Sequence, residues 1–169
     1  MKMHARGIAA GLCLGALLVG QAMAADKPPV KIGVLTDMSG TYAGMGGAGS
    51  VAAAQLAIDD CLAAECKGMK IELVSADNQN KADVGAARAR EWFDRDGVTA
   101  IADLTNSAVA LAVQGIAREK NKVVMFSGPA TTALTNKECS PLGFHWIRSR
   151  LRSAASRMKS HSRLTRLRR

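Results

Sequence analysis

Residues Val98–Phe126 read VTAIADLTNSAVALAVQGIAREKNKVVMF, and the period of the apolar residues changes twice along them. Val98–Ala102 is a short β-branched and small-residue run of the kind that forms a buried strand. From Ser107 to Glu119 the spacing turns helical, with Val109, Val113 and Ile116 on one side. Lys122–Phe126 returns to a short run whose last four residues are apolar, a second strand. Strand, helix and strand within one short stretch make a βαβ unit, whose strands lie parallel and whose crossover is right-handed.

The alternation continues upstream. Val30–Thr36 predicts a buried strand, and Ser50–Leu62 a helix with Val51, Ala54 or Gln55, Ile58 and Leu62 on one side. Lys70–Ala76 predicts a strand. Lys81–Asp94 predicts a helix with Ala86, Ala89 and Phe93 aligned, ended by Asp96-Gly97. The expected fold class is α/β: a four-stranded parallel sheet with flanking helices.

In such a sheet, ligands bind beyond the carboxyl ends of the strands. Those ends lead into Asp37–Gly47, Asp77–Asn80, Asp103–Ser107 and Ser127–Thr132, all rich in hydroxyls, amides and glycines. At the third edge Asn106 or Ser107 caps the following helix, leaving N–H groups and the positive end of the helix dipole toward the cleft, an arrangement suited to a carboxylate or phosphate. The run Gly44-Met-Gly46-Gly-Ala-Gly49 matches a dinucleotide-binding pattern, but Gly44 lies eight residues past Thr36, and no acid ends the next strand at the ribose-binding spacing, since Asp77 is 28 residues beyond Gly49. It is expected to be a flexible, close-approach loop. Catalysis lacks its parts. His4 and His161 lie near the termini, and His145, between Phe144 and Trp146, is expected to pack or hydrogen-bond. Neither a Ser/His/Asp set nor a zinc site can be assembled, so no enzyme activity, cofactor or metal is expected.

The two ends differ from the body. Lys2, His4 and Arg6 precede the uncharged run Ile8–Gly20, and Ala22-Met-Ala24 has the small-x-small pattern of a signal cleavage site. The run is shorter than the ~20 residues that span a bilayer. Residues 1–24 are expected to be a signal peptide, with export to the periplasm. Residues 147–169 hold eight Arg and Lys159 without an acid, accounting for the whole net charge of +9, whereas Ala25–Trp146 stands at −2. That removes nucleic acid as a partner of the body. The Arg/Ser-rich texture of the tail is that of a GC-rich gene read out of frame, which is the expectation for it. In an oxidising compartment Cys61 and Cys66 could close a small loop at a helix end, leaving Cys139 odd.

Three stretches resemble the leucine/isoleucine/valine-type periplasmic binding proteins of ABC importers: Lys31-Ile-Gly-Val-Leu-Thr-Asp-Met-Ser-Gly-Thr-Tyr42, Ile71–Asp83, and Ser127–Trp146. The resemblance implies that residues 25–146 are a partial N-terminal lobe of a two-lobed (Venus-flytrap) receptor. Such a receptor closes on a branched-chain or related amino acid or a small carboxylate, then docks on an ABC permease in the membrane. It places the ligand against Asn106 and Ser107, and against Ser127, Ala130 and Thr131, with Tyr42 or Met45 facing its variable part. A monomer is expected. The alternative with the same fold is the ligand-sensing ectodomain of a receptor. Members of the family are more than twice as long as this body, and their second lobe supplies the opposing jaw and returning chain. The sequence as it stands is therefore expected to expose apolar surface, to bind weakly or not at all, and to aggregate.

Overall fold

The computed structural model describes residues 28–147. The signal peptide expected at residues 1–24, and all of the basic tail except Ile147, lie outside the described residues. The elements alternate as the periodicity predicts: β1 (Val30–Thr36), α1 (Gly47–Ala63), β2 (Ile71–Asp77), α2 (Ala82–Asp94), β3 (Ala100–Asp103), α3 (Ser107–Glu119), β4 (Val123–Phe126), a 3-10 turn (Thr132–Thr135) and β5 (Gly143–His145). The strands form one parallel sheet in the order β2-β1-β3-β4-β5.

The expectation of four strands is corrected by β5. It has three residues, a glycine and no β-branched side chain, so nothing local marks it as a strand. The free edge of β4 makes it one, pairing Val124, Met125 and Phe126 with Gly143, Phe144 and His145. Two elements also start more than one residue from where they are expected. Helix α1 starts at Gly47, three residues before Ser50, and β3 is Ala100–Asp103 in place of Val98–Ala102. Val98 remains fully buried, as a core residue leading into the strand.

Helices α2 and α3 pack together over one face of the sheet. The core sits beneath them: Leu35, Ile101, Val124 and Phe126 from the strands, Ala89, Trp92 and Phe93 from α2, and Val109, Val113 and Ile116 from α3. Each large apolar side chain buried there contributes about 1.5–3 kcal/mol. Trp92 lies across β1 at Gly33, where a Cβ would stand 2.5 Å from the indole.

The opposite face is covered more thinly. Helix α1 lies against β1 and β2 and buries only Gly47 and Ile58. Of its expected inward side, Val51, Ala54 and Leu62 are half-buried and Gln55 is exposed. Ala100, Ala102 and Met125 on this face are half-buried and Phe144 is exposed, while Ile101, Val124 and Phe126, which alternate with them, are buried. Trp146 is 71% exposed and tilts against Phe144 with ring centroids 6.2 Å apart. Cys61 and Cys66 form the disulfide that the sequence allowed, with a Cα–Cα distance of 5.0 Å, and Cys139 is the free cysteine of the described residues.

Candidate functional site

Strand order reverses at β1: β2 lies to one side, β3 and β4 to the other. Chain leaving β1 and chain leaving β3 therefore diverge, and a crevice opens at their carboxyl ends. The loops around it are tied to one another by side chains. Asp37, fully buried, accepts from the backbone N–H of Gly40 at 2.7 Å and of Tyr42 at 2.9 Å, which fixes the β1 loop. Thr36 Oγ1 accepts from Gly47 N at 2.9 Å and anchors the start of α1.

Asp77, at the end of β2, accepts from Ser39 Oγ at 2.6 Å, Gln79 N at 2.7 Å and Met38 N at 2.9 Å. The Ser39 hydroxyl is the main cause that holds its carboxyl below the ordinary value of 3.8, with the backbone N–H groups of Met38, Gln79 and Ser39 adding to it and burial opposing it. A group with a lowered folded pKa stabilises the fold above its unfolded pKa, and the stabilisation is lost as pH falls through the folded value. The melting temperature is thus expected to drop as pH falls below about 3.8, and Asp77→Asn is expected to remove that part of the acid limb while lowering stability at neutral pH. Superimposable profiles of the two proteins from about pH 5 to pH 2 would show that the Asp77 ties contribute nothing.

At the third edge the cap is Asn106. Its Oδ1 accepts from Ala108 N at 2.6 Å and Val109 N at 3.1 Å, and its Nδ2 donates to Asn80 Oδ1 across from the β2 loop. Asn106 is thereby committed, and the backbone N–H and hydroxyl of Ser107 are left without a partner among the described residues, at the positive end of a 13-residue helix. At the fourth edge Ser127 Oγ donates to Asp103 Oδ1 at 2.7 Å, so this hydroxyl is engaged too. Thr131 Oγ1 accepts from Ala133 N at 3.3 Å and caps the 3-10 turn, and Ala130 is half-buried beside it. His145 packs edge-on against Phe126 and its Nε2 lies 2.6 Å from the Pro129 carbonyl oxygen, which makes Nε2–H the donor and holds the loop before Ala130.

A cavity of about 560 Å³ opens between α1 and the ends of β1, β3 and β4. Of the seven residues expected to contact ligand, Met45 and Ser127 line it. Asn106, Ser107, Ala130 and Thr131 stand on the adjoining β3 and β4 loops, and Tyr42 is half-buried in the β1 loop. Two of the other residues that line it are buried and polar, Asp103 and Thr105. Their positions carry no distinguishing sequence signal beyond an aspartate at a strand end, a feature shared with Asp77. Among the described residues no group of three His, Cys, Asp or Glu is gathered as a metal site.

A family model described as periplasmic binding protein matches residues 29–163. A crystal structure of a periplasmic binding protein from Burkholderia mallei is 44% identical, with a TM-score of 0.68, over 72% of this chain and 32% of that one. A branched chain amino acid ABC transporter periplasmic ligand-binding protein from Burkholderia xenovorans is 46% identical, with a TM-score of 0.67, over 71% of this chain and 32% of that one. The branched-chain amino acid transporter substrate binding protein of Streptococcus pneumoniae, solved with isoleucine, shares the fold at 24% identity and a TM-score of 0.64, covering 72% of this chain and 34% of that one. The chain spans about a third of the length of these structures. No curated protein matches it.

Proposed function

The chain belongs to the periplasmic binding protein family, and from that premise we propose that residues 28–147 supply one wall of the solute cleft of an ABC importer's binding protein, for a branched-chain or related amino acid or a small carboxylate. The observation that carries this is the pair of donors on Ser107, N–H and hydroxyl, without a partner among the described residues, at the positive end of α3 and beside the strand-order reversal. Such a terminus receives a carboxylate. The high identity to the Burkholderia xenovorans protein supports the solute class. The neighbouring loop from Ser127 to Thr131 would face the same solute, with Met45 or Tyr42 against its variable part. Delivery to a membrane permease, export through cleavage after Ala24, and a monomeric state belong to the same reading.

One wall makes only part of the contacts that a closed cleft makes, so residues 28–147 are expected to hold isoleucine at roughly millimolar strength, worth about 4 kcal/mol. Titration of the ¹⁵N-labelled chain with isoleucine should move the amide signals of Ser107 and Thr131 with a Kd on the order of 1 mM. Ser107→Pro, which removes both donors, should abolish those shifts. A titration in which neither isoleucine nor 4-methylpentanoate perturbs Ser107 or Thr131 defeats the proposal, and micromolar affinity defeats the one-wall account.

A further inference from the structure

Register sets one apolar residue per strand side by side across the sheet: Val34 beside Ala102, Ala102 beside Met125, and Met125 beside Phe144. Residues paired in register share a face, and this face is the one that carries α1. Helix α1 lies against β1 and β2, so Val34 is buried, while Ala102 and Met125 are half-buried and Phe144 is 46% exposed. Cover thins strand by strand away from α1. A second row on the same face, Ala100 beside Val123, is also half-buried, and Trp146 packs on Phe144 and extends the patch past the end of β5. No polar side chain interrupts either row, and a continuous apolar patch of this kind marks a surface that something covers.

The chain itself leads there. Ile147 lines the cavity together with Ala53 and Ala54 of α1 and Ala102 of β3, so the backbone leaving β5 turns to the α1 side. From Ile147 the apolar residues Leu151, Ala154 and Met158 follow at i+4, i+7 and i+11, the spacing of one side of a helix. Ser149, Arg152, Ser156 and Lys159 fall on the other side at that spacing, and neither Gly nor Pro interrupts the stretch. A helix of about twelve residues reaches about 18 Å, and a strand of the length of β4 spans about 13 Å, so one such helix covers the strands from end to end. The small residues Ser50, Ala53 and Ala54 on the cavity side of α1 let a second helix lie close beside it. Charge agrees with the docking. Residues 148–169 are basic without an acid, Ala25–Trp146 stands at −2, and Asp103 is the titratable residue of the cavity wall.

We infer that residues 147–158 are the cover of this face: a helix of the same chain lying beside α1 over β3, β4 and β5, with Leu151, Ala154 and Met158 against Met125 and Phe144. The inference is independent of which solute the crevice takes. Its test is made on the 169-residue chain by nuclear magnetic resonance. Overhauser contacts are expected from the methyl groups of Leu151 and Met158 to the Met125 methyl group and the Phe144 ring. Leu151→Asp together with Met158→Asp should erase these contacts and lower the melting temperature by about 5–10 °C. Ser149→Asp together with Ser156→Asp adds the same two charges on the other side of the helix, and should leave contacts and melting temperature as they are. Should the first pair fail to fold, the Overhauser contacts of the unsubstituted chain decide alone. Absence of those contacts, or contacts from Ile8–Gly20 in their place, overturns the inference. Equal melting temperatures of the two double variants overturn it as well. So does concentration-dependent sedimentation that Phe144→Ser with Trp146→Ser abolishes, since a second copy of the chain then covers the face.

Discussion

Gly33→Val is expected to lower the stability of the fold by about 3–5 kcal/mol, seen as a urea midpoint lower by about 2 M. Gly33 sits in the middle of β1, paired with Val74 on one side and Ile101 on the other, so the backbone cannot retreat without breaking two ladders. Its missing side chain is replaced by the Trp92 indole, and a Cβ would lie 2.5 and 2.6 Å from two ring carbons. Valine adds three carbons where there is room for none. Either the indole leaves the core, with a loss of the order measured for large-to-alanine changes, or the strand is displaced. A marginally stable fold holds roughly 0.05–0.15 kcal/mol per residue, so this loss is a large fraction of what about 120 residues can hold. Trp92→Leu alone should also destabilise, but added to Gly33→Val it should restore part of the midpoint, because the smaller side chain leaves space for the valine. The coupling in that double-mutant cycle is the decisive quantity. Strictly additive effects would mean that Trp92 does not fill the place of the Gly33 side chain.

The same contact shows where sequence reading succeeds and where it stops. Strand β1 and helix α3 were legible because their signal is local: a short run dominated by Val30, Ile32, Val34 and Leu35, and Val109, Val113 and Ile116 at helical spacing, these three all buried as expected. For α2 the spacing singles out Ala86, Ala89 and Phe93, yet Trp92 is buried and Ala86 only partly so. Trp92 owes its burial to a glycine 59 positions away, which no periodicity within α2 can reveal. Strand β5 was invisible for a similar reason, since a three-residue strand is stabilised by the edge it joins. The loops at the strand ends were legible as a polar rim, and Asn106 as a helix cap. What each polar group does there depends on cross-loop partners. The Ser127 hydroxyl, which looks free in sequence, is engaged by Asp103, whereas Ser107 keeps both donors because Asn106 does the capping. Asp103 stands out only through its burial and its unpartnered oxygen.

Gly46→Ala is expected to abolish solute binding and to lower stability by about 1–3 kcal/mol. The glycine-rich stretch that leads into α1 contains Gly44, Gly46, Gly47 and Gly49, the last two in the helix's first turn, and its composition does not say which of them matters. A Cβ on Gly44 or Gly49 meets nothing within 4 Å. A Cβ on Gly46 meets Thr36 Oγ1 at 2.6 Å, Thr105 Cγ2 at 2.7 Å and Asp103 Oδ2 at 2.9 Å. These atoms belong to the ends of β1 and β3, the two strands between which the crevice opens, and all three residues are buried. The short side chains cannot swing aside, so the methyl group must lift the start of α1 or part the two loops, and it occupies the approach to Asp103 in either case. Gly44→Ala should leave both stability and leucine affinity unchanged. Gly49→Ala, inside α1, should stabilise by up to about 1 kcal/mol through helix propensity. Thermal melts and leucine titrations of the three alanine variants separate the cases. If Gly46→Ala behaves like Gly44→Ala in both measurements, the start of α1 does not approach the ends of β1 and β3 closely, and the crevice between them does not receive the solute.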